Sequence, residues 1–352
     1  MPKIAPSRRL ALLGLLASAA VPASAEDYAG PFEYADPKPQ AYQFAERASK
    51  IDPRVRSHPA IKFVLEKDGK PADLQRASVD TRVKPRGKLV IALMGAGNLF
   101  RVTNALGLHA IQVPYANGWF EIIRGGDPKD SWRGNVRLEA ATGEDHSPLI
   151  DIPKPDGLAE RSLQFVKWLA KTHPQGKWDH FLVAGGDDLK WEDVILVGLS
   201  HGATTAARLA MHKKVDRAVF FSGPRDQDQS WQSGPSATPA NRFFGFTHVL
   251  DGGWAGKHYC RSWELLGMHK SGPVVDVEKT KAPFGNTRRL ITTIEGKGSM
   301  KFHNGVAPNV FAWKDAEGRF VHEEVWRYLF THPVDRVGEP VEPDPACRLK
   351  KK

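Results

Sequence analysis

The stretch Asp193–Ala210, DVILVGLSHGATTAARLA, decides which fold this sequence predicts. It opens with the apolar run Val194 to Val197, mostly β-branched, which is typical of a strand buried on both faces of a parallel sheet. Gly198-Leu199-Ser200-His201-Gly202 then fits the pattern G-x-S-x-G, and a segment rich in alanine follows. A strand, a sharp turn and a closely packed helix form the context in which this pattern makes a nucleophile elbow.

The two glycines of the pattern have a steric reason. The serine sits on a strained turn, and a Cβ at Gly198 or Gly202 would crowd the neighbouring strand or helix. The alternative is a glycine-rich turn that binds a phosphate or has only a structural role. No lysine follows Gly202 as it would in a phosphate-binding P-loop, which favours the elbow.

The stretch resembles the elbow of the α/β-hydrolase superfamily, and in particular its secreted bacterial serine hydrolases and esterases. The resemblance covers roughly residues 85–335 and implies an α/β fold, with a mostly parallel central sheet and helices on both faces. Strands and helices alternate along the whole sequence, as such a sheet requires. The polar segment 223–240 is too short for a large lid domain, so we expect an open or lightly covered site.

Apolar runs and periodicity predict the remaining elements. Strands are predicted at Ala60–Leu65, Lys88–Met94, His109–Pro114, Arg217–Ser222, Arg242–Leu250 and Arg289–Ile294. Helices are predicted at Ala41–Ser49, within Thr103–Gly107, at Leu158–Thr172, within 254–286 and at Val321–Phe330. Residues 117–148 are predicted as a long loop, and Glu139 within it as a solvated side chain. We expect an irregular arm over residues 26–58 and a single domain over residues 59–352.

A serine hydroxyl is a poor nucleophile until a base takes its proton, and that base is usually a histidine oriented by a carboxylate. The family order implies an acid after a later strand and a histidine after the last strand. Asp251 follows an apolar strand and precedes two glycines, whereas Asp226 follows the preceding strand and is the alternative acid. His303 lies between the last predicted strand and the closing helix. The resemblance therefore implies a Ser200, His303 and Asp251 triad.

The resemblance also implies an oxyanion hole of backbone N–H groups. One would come from His201, and another from Gly95 or Ala96 in the loop after Lys88–Met94. The family often has His-Gly at this loop, and this chain has Met94-Gly95, so the match is one of position and glycine content. We expect the His201 side chain to border the pocket, and we expect no metal and no organic cofactor.

The charge of the chain does not indicate a nucleic-acid partner. The formal net charge is +10, of which residues 1–25 contribute +3 and residues 348–352 contribute +4. The remainder therefore carries only +3, which gives no strong basic face. The expected partner is instead a small-molecule ester or acyl substrate, while the oligomeric state stays open.

The beginning of the sequence has the three parts of a secretory signal peptide. Lys3, Arg8 and Arg9 precede the short apolar run 10–20, and Ala23-Ser24-Ala25 fits a cleavage site. The alternative is a membrane anchor, but the run is shorter than the ~20 residues that span a bilayer. We therefore expect residues 1–25 to be removed, a periplasmic or secreted protein, and no stable membrane insertion.

The two cysteines of the sequence, Cys260 and Cys347, would then meet an oxidising compartment. An even pair in that setting is typical of a disulfide, and two free thiols are the alternative. The expected function is cleavage of an ester or related acyl bond. The alternatives are a secreted binding or structural protein with an unused site, or a peptidase, amidase or acyltransferase that uses the same triad.

Overall fold

The structure is a computed structural model that describes residues 30–122, 132–226 and 229–347. The predicted signal peptide, residues 1–25, and the basic end of the chain, residues 348–352, lie outside these ranges.

Strands and helices alternate along most of the chain. The strands are β1 (Ala41–Arg47), β2 (Glu66–Lys67), β3 (Lys70–Pro71), β4 (Leu74–Asp80), β5 (Leu89–Leu93), β6 (His109–Gln112), β7 (Val194–Leu199), β8 (Arg217–Phe221), β9 (Phe243–His248), β10 (Val274–Asp276) and β11 (Arg289–Thr292). The α-helices are α1 (Ala48–Ile51), α2 (Gly97–Ala105), α3 (Trp119–Ile122), α4 (Trp132–Thr142), α5 (Leu158–Thr172), α6 (His201–His212), α7 (Gly252–Ala255), α8 (His258–Leu265), α9 (Ser299–Asn304) and α10 (Glu323–Thr331).

The described residues form a nine-stranded sheet in the order β1-β4-β6-β5-β7-β8-β9-β11-β10. Neighbouring strands are parallel from β6 to β10 in this order, whereas β1 and β4 are antiparallel additions. Strands β2 and β3 form a separate hairpin. Because the carboxyl ends of parallel strands meet at one edge, the segments that follow β5, β7, β9 and β11 lie along the same edge.

Helices cover both faces of the sheet. One hydrophobic cluster joins strand side chains to α5, α6 and α8, as represented by Phe165, Ala206 and Trp263. A second cluster on the other face joins the sheet to α2 and α10, represented by Leu99 and Trp326. The strand β7 is fully buried over Val194–Gly198, as its unbroken apolar run predicts.

This is the α/β-hydrolase fold, and it confirms the predicted fold class. Within the described ranges, residues 223–240 form only short 3-10 turns at Ser230–Ser233 and Ala240–Arg242, and no large lid domain is present. The strands predicted at the positions of β5, β6, β8, β9 and β11 are confirmed, and their ends agree with the prediction within a few residues. The helix Leu158–Thr172 is confirmed at both ends.

The predictions near the amino-terminal end of the described chain are wrong. Residues Ala41–Arg47 form the edge strand β1 rather than a helix, because their alternating exposure suits antiparallel pairing with β4. Residues Ala60–Leu65 do not form a strand, and a 3-10 turn at Pro59–Ile61 occupies this position. Asp68-Gly69, a dipeptide typical of hairpin turns, connects β2 to β3.

The prediction of a long loop over residues 117–148 is also wrong. The described part contains α4, a helix whose charged side chains Arg133, Arg137 and Glu139 are buried. Glu139 accepts hydrogen bonds from the backbone N–H groups of Ser147 and Ile152, so it is not a solvated side chain. Burial of charged residues hid the apolar periodicity that usually reveals a helix.

Candidate active site

The elbow is built from backbone contacts that only glycine permits. At Gly198, an added Cβ would overlap the backbone of Gly202. At Gly202, an added Cβ would overlap the carbonyl oxygen of Leu93 on the neighbouring strand β5. Both glycines therefore allow α6 to start directly against the sheet, which is the steric reason that the sequence suggested.

Ser200 occupies the tip of this turn, between β7 and α6. Its φ of 57° and ψ of −116° place a non-glycine residue in a strained region, at a cost of about 1–3 kcal/mol. The backbone N–H of Ser200 donates to the carbonyl of Phe221 at 2.9 Å, which ties the turn to β8. Its hydroxyl does not cap α6, and the residue is partly exposed. The fold thus presents the hydroxyl at the carboxyl edge of the sheet.

The structure brings Asp251 and His303 together at the same edge. Asp251 follows β9, His303 lies on α9 after β11, and His303 Nδ1 is 2.7 Å from Asp251 Oδ2. The other carboxylate oxygen, Oδ1, accepts hydrogen bonds from the Gly253 N–H at 2.7 Å and the Tyr259 hydroxyl at 3.1 Å. Asp251 is only 3% exposed. The carboxylate is therefore fixed by three donors, of which the imidazole is one.

These contacts also set the ionisation of Asp251. Burial opposes the charged form, but the hydrogen bond and charge of His303, together with the Gly253 N–H, hold the pKa of Asp251 below its usual value. The backbone carbonyl of His303 accepts a hydrogen bond from the buried Ser222 hydroxyl at 2.6 Å. Ser222 therefore links the segment after β8 to the helix that carries the histidine.

The predicted oxyanion loop lies between β5 and α2. Gly95 is exposed, Ala96 is buried, and the N–H groups of both donate to no backbone carbonyl among the described residues. The loop is held from two sides: Gln112 Nε2 donates to the Met94 carbonyl at 2.8 Å, and Asn98 Nδ2 donates to the Asn309 carbonyl at 3.0 Å. Two backbone N–H donors are thus available next to Leu93, the last residue of β5, whose carbonyl oxygen lies against Gly202.

The alternative acid, Asp226, lies in a different environment. Its carboxylate forms a two-pronged ion pair with Arg137, with Nη2–Oδ1 at 2.6 Å and Nε–Oδ2 at 3.0 Å, and both side chains are buried. Trp231 Nε1 also donates to Asp226 at 3.1 Å. Arg137 donates further to the hydroxyl of Thr205 on α6 at 3.1 Å. Asp226 therefore supports the start of the elbow helix and does not contact His303.

His201, the residue after Ser200, packs against two aromatic rings. Its ring centre lies 5.1 Å from that of Trp119 and 5.2 Å from that of Phe120. Burial, with the nearby charge of Arg137, holds the pKa of His201 well below its usual value. Arg137 Nη1 also lies 3.2 Å from His201 Nδ1. The neutral imidazole of His201 therefore packs against these aromatic rings. The backbone N–H of His201 belongs to the first residue of α6.

Four aromatic residues, Trp119, Phe120, Trp231 and Trp254, differ in how much accessible surface they offer. Trp119 is fully buried in a third hydrophobic cluster around α4, which is packing. Trp231 and Trp254 are partly buried against the first cluster. Phe120 is 37% exposed and is the one of the four that offers substantial accessible surface.

Cys260 and Cys347 form a disulfide, as the sequence predicts, and their Cα atoms are 5.5 Å apart. Cys260 lies on α8 next to Tyr259, so the bridge ties the end of the chain to the helix that contacts Asp251. Among the described residues, one cluster has the composition of a metal site: these two cysteines and Asp344. Because the two sulfur atoms are bonded to each other, they are not available as thiolate ligands.

Sequence reasoning missed the residues that position the site. Tyr259 donates to Asp251, and Ser222 donates to the carbonyl of His303. Arg137 binds the elbow helix α6, and Gln112 binds the oxyanion loop. The position of Ser222 directly after a strand that neighbours the nucleophile strand was one available signal. The other three reach the site only through tertiary packing, so no spacing in the sequence indicates them.

No protein-family model and no curated protein sequence matches this chain. Similar solved structures include esterase 2 of Thermogutta terrifontis, with 13% identity, a TM-score of 0.33, and coverage of 70% of this chain and 86% of that one. A thermostable esterase of Pseudomonas putida has 10% identity, a TM-score of 0.31 and coverage of 72% of both chains. An arylesterase has 11% identity and a TM-score of 0.23 over 52% of this chain, which spans 45% of that protein's length. Likenesses this distant carry no argument about activity.

Among the residues that the structure describes, none of the helices combines the length and the apolar character needed to cross a bilayer.

Proposed function

We propose that this chain, whose fold is that of the α/β-hydrolases, is a serine hydrolase that cleaves a carboxylic ester or related acyl bond. The observation that carries the proposal is the 2.7 Å contact between His303 and a buried Asp251, at the sheet edge that also carries the strained elbow of Ser200. A nucleophile, a base and an acid that orients the base are the three groups that acyl transfer needs.

The reaction proceeds in two halves. The Ser200 hydroxyl oxygen attacks the carbonyl carbon, and His303 Nε2 takes the hydroxyl proton. Asp251 accepts a hydrogen bond from Nδ1, which keeps the imidazole in the tautomer whose Nε2 is free to act as a base. His303 then gives the proton to the departing alcohol, which leaves an acyl group on Ser200. A water molecule activated by the same histidine releases the acid.

The negative charge that develops on the carbonyl oxygen needs fixed donors. We assign these to the backbone N–H of His201 and to that of Gly95 or Ala96. An aligned donor of this kind contributes about 3 kcal/mol to lowering the barrier. The hydrogen bonds of Gln112 and Asn98 hold the loop before the substrate arrives, so little reorganisation is required.

Labelling with a fluorophosphonate tests the activated serine. The full mature chain is compared with Ser200→Ala, His303→Ala and Asp251→Ala, and Ser299→Ala is the matched control because Ser299 is an exposed serine on the helix that carries His303. We expect labelling of the wild type and of Ser299→Ala, none of Ser200→Ala, and strongly slowed labelling of the other two variants. Hydrolysis of 4-nitrophenyl butyrate should follow the same order.

The outcome separates the alternatives. A wild type that is folded by circular dichroism and takes no label would contradict the hydrolase and favour a binding protein with an unused site. A wild type that takes the label but cleaves only amide or peptide substrates would keep the activated serine and reject the ester preference.

Export is also proposed. It is supported by the disulfide between Cys260 and Cys347 and by the signal-peptide pattern of residues 1–25. Expression of the full sequence in a bacterium, followed by amino-terminal sequencing of periplasmic protein, should give a chain that begins at Glu26. An uncleaved cytoplasmic product would contradict export and leave the hydrolase proposal untouched.

A further inference from the structure

A cavity of about 500 Å³ opens beside the oxyanion loop, and we call it the basic cavity. Lys62, Lys67 and Arg76 line it, and Met94 and Gly95 form its border with the loop. None of the described residues that line it is an aspartate or a glutamate. A concave site to which Lys67 and Arg76 contribute cationic side chains, with no carboxylate among its described lining residues, has the electrostatics of an anion site.

Arg76 is the best placed of the three cations. It lies on β4 opposite Gln112, the residue that holds the oxyanion loop. Arg76 also lines a second cavity of about 490 Å³, together with Ala96 and Gly97 at the start of α2. A residue that borders both cavities lies alongside the loop that would stabilise the oxyanion. An arginine guanidinium presents five N–H donors in a fixed planar arrangement that suits a carboxylate.

The charges of Arg76 and Lys67 are not neutralised by the described part of the protein, in which neither side chain forms an ion pair or a hydrogen bond. Most arginines of the central sheet differ in this respect: Arg217 pairs with Asp216, and Arg289 pairs with Glu264. Arg76 and Lys67 are therefore available to an anionic ligand.

The wall of the basic cavity is anchored in the core. Ile61 and Phe63 are buried in the third hydrophobic cluster, on either side of Lys62. Lys62 itself has a φ of 56°, in the left-handed region, and the backbone of Ile61 packs so closely on Gly118 that a Cβ there would overlap it. A strained residue between two buried neighbours is held in one conformation, so this wall is formed before a ligand binds.

The strand order indicates which part of a substrate would reach the basic cavity. The nucleophile strand β7 has β5, β6 and β4 on one side, and β8, β9 and β11 on the other. His303 follows β11 and gives its proton to the leaving alcohol, so the alcohol departs toward that side. The acyl group then extends the other way, past the oxyanion loop and toward β4 and Arg76.

We infer that the substrate is an ester whose acyl part carries a carboxylate, and that Arg76 and Lys67 bind this carboxylate in the basic cavity. The inference rests on the proposed hydrolase function and adds the substrate class. Its chemistry is a charge-assisted pair between a guanidinium and a carboxylate, with a lysine beside it.

Two esters that differ by a single O-methyl group, and therefore in charge, test the inference: the mono-4-nitrophenyl ester of glutarate and its neutral methyl 4-nitrophenyl diester. We expect wild-type kcat/KM to be about tenfold to a hundredfold higher for the anionic ester, as for other hydrogen bonds to charged groups. The preference should shrink to about threefold or less in Arg76→Gln and fall partly in Lys67→Gln. Because the site is open to solvent, added NaCl should also reduce it.

Two variants serve as controls. Lys70→Gln removes an exposed lysine of the same β2–β3 hairpin that does not line the basic cavity, and Arg327→Gln removes an exposed arginine on α10. Both should keep the full preference. These two control variants should also hydrolyse the neutral diester at the wild-type rate within about threefold, whereas the effect of Arg76→Gln and Lys67→Gln is measured as the ratio of kcat/KM for the two esters.

Equal kcat/KM values for the two esters in the wild type would overturn the inference and leave the hydrolase intact. A preference for an ester that carries its carboxylate on the phenol would overturn it as well. If the chain takes the fluorophosphonate but cleaves neither ester, binding of monomethyl glutarate to Ser200→Ala is measured by calorimetry. Binding to Ser200→Ala that is lost in the double variant with Arg76→Gln supports the inference, and no binding to Ser200→Ala rejects it. Absence of labelling is instead a failure of the hydrolase proposal.

Discussion

His303 Nδ1 lies 2.7 Å from Asp251 Oδ2, although the two residues are 52 positions apart in the chain. The strand order explains the approach. Strands β9 and β11 are parallel neighbours, Asp251 follows the first and His303 follows the second, so both residues emerge at one edge. Residues 252–288 leave this edge and return through β10 on the far side of β11 without separating the pair.

The first prediction concerns Asp251→Asn. An asparagine in the same position offers a neutral amide, which removes the charge that stabilises the imidazolium and permits the wrong tautomer of His303. We expect kcat for a 4-nitrophenyl ester to fall by about 10⁴, with KM changed little. Tyr259 and Gly253 still have an oxygen to donate to, so the variant should fold.

The control for this prediction is thermal unfolding of the same preparation, which should show a melting temperature close to that of the wild type. A loss of less than about tenfold in kcat would remove Asp251 from the triad. A different carboxylate would then have to orient His303.

The second prediction concerns Asp226→Asn, which breaks the buried ion pair with Arg137. An unpaired guanidinium in a buried site is costly, so we expect the free energy of unfolding to fall by about 3–5 kcal/mol. Urea titration measures the change. Because Asp226 does not contact His303, the fraction that stays folded should retain a kcat within about tenfold of the wild type.

A double variant distinguishes this ion pair from a general packing defect. Arg137→Met combined with Asp226→Asn removes the orphaned charge, and its destabilisation should be smaller than the sum of the two single effects by more than about 1 kcal/mol. Additive effects, or a fall in kcat as large as that of Asp251→Asn, would contradict the structural role of Asp226.

The central strands and the elbow could be predicted because local sequence determines them. Strands β5, β7 and β8 are buried on both faces and appear as unbroken apolar runs, and Gly198 and Gly202 satisfy a local steric need. The order of Ser200, an aspartate and His303 along the chain could be predicted from the family resemblance. The sequence favoured Asp251 over Asp226 as the acid, but Asp226 stayed an alternative because it also follows a strand.

The rest could not be predicted, because partners distant in sequence determine it. Helix α4 buries Arg137 and Glu139 against acceptors and donors that lie up to 89 positions away, so its pattern looks polar and loop-like. Exposure alternates along β1 as it does in a strand, but the segment is too short for its sequence to distinguish a strand from a helix. Its pairing with β4 is what makes it a strand. Arg76 lines the basic cavity only because β4 joins the sheet beside β6.

The third prediction concerns the disulfide. It connects residues 87 positions apart, and in the chain-entropy model a closed loop of this length stabilises the native state by about 4.6 kcal/mol. Reduction, or the double variant Cys260→Ser with Cys347→Ser, should lower the urea midpoint accordingly. The double variant should then be insensitive to a reductant. A wild-type midpoint that does not change under complete reduction, verified by thiol titration, would contradict the prediction.

The fourth prediction concerns His109, which is fully buried and whose Nε2 lies 2.6 Å from the Gly176 carbonyl oxygen. Burial lowers the pKa of His109 from 6.5 to about 4. Between these values the unfolded chain binds more protons, so stability is complete above pH 6.5 and falls by about 3 kcal/mol as the pH drops to 4. His109→Gln should flatten this part of the stability profile measured by urea titration. Parallel profiles for wild type and His109→Gln would refute the assignment.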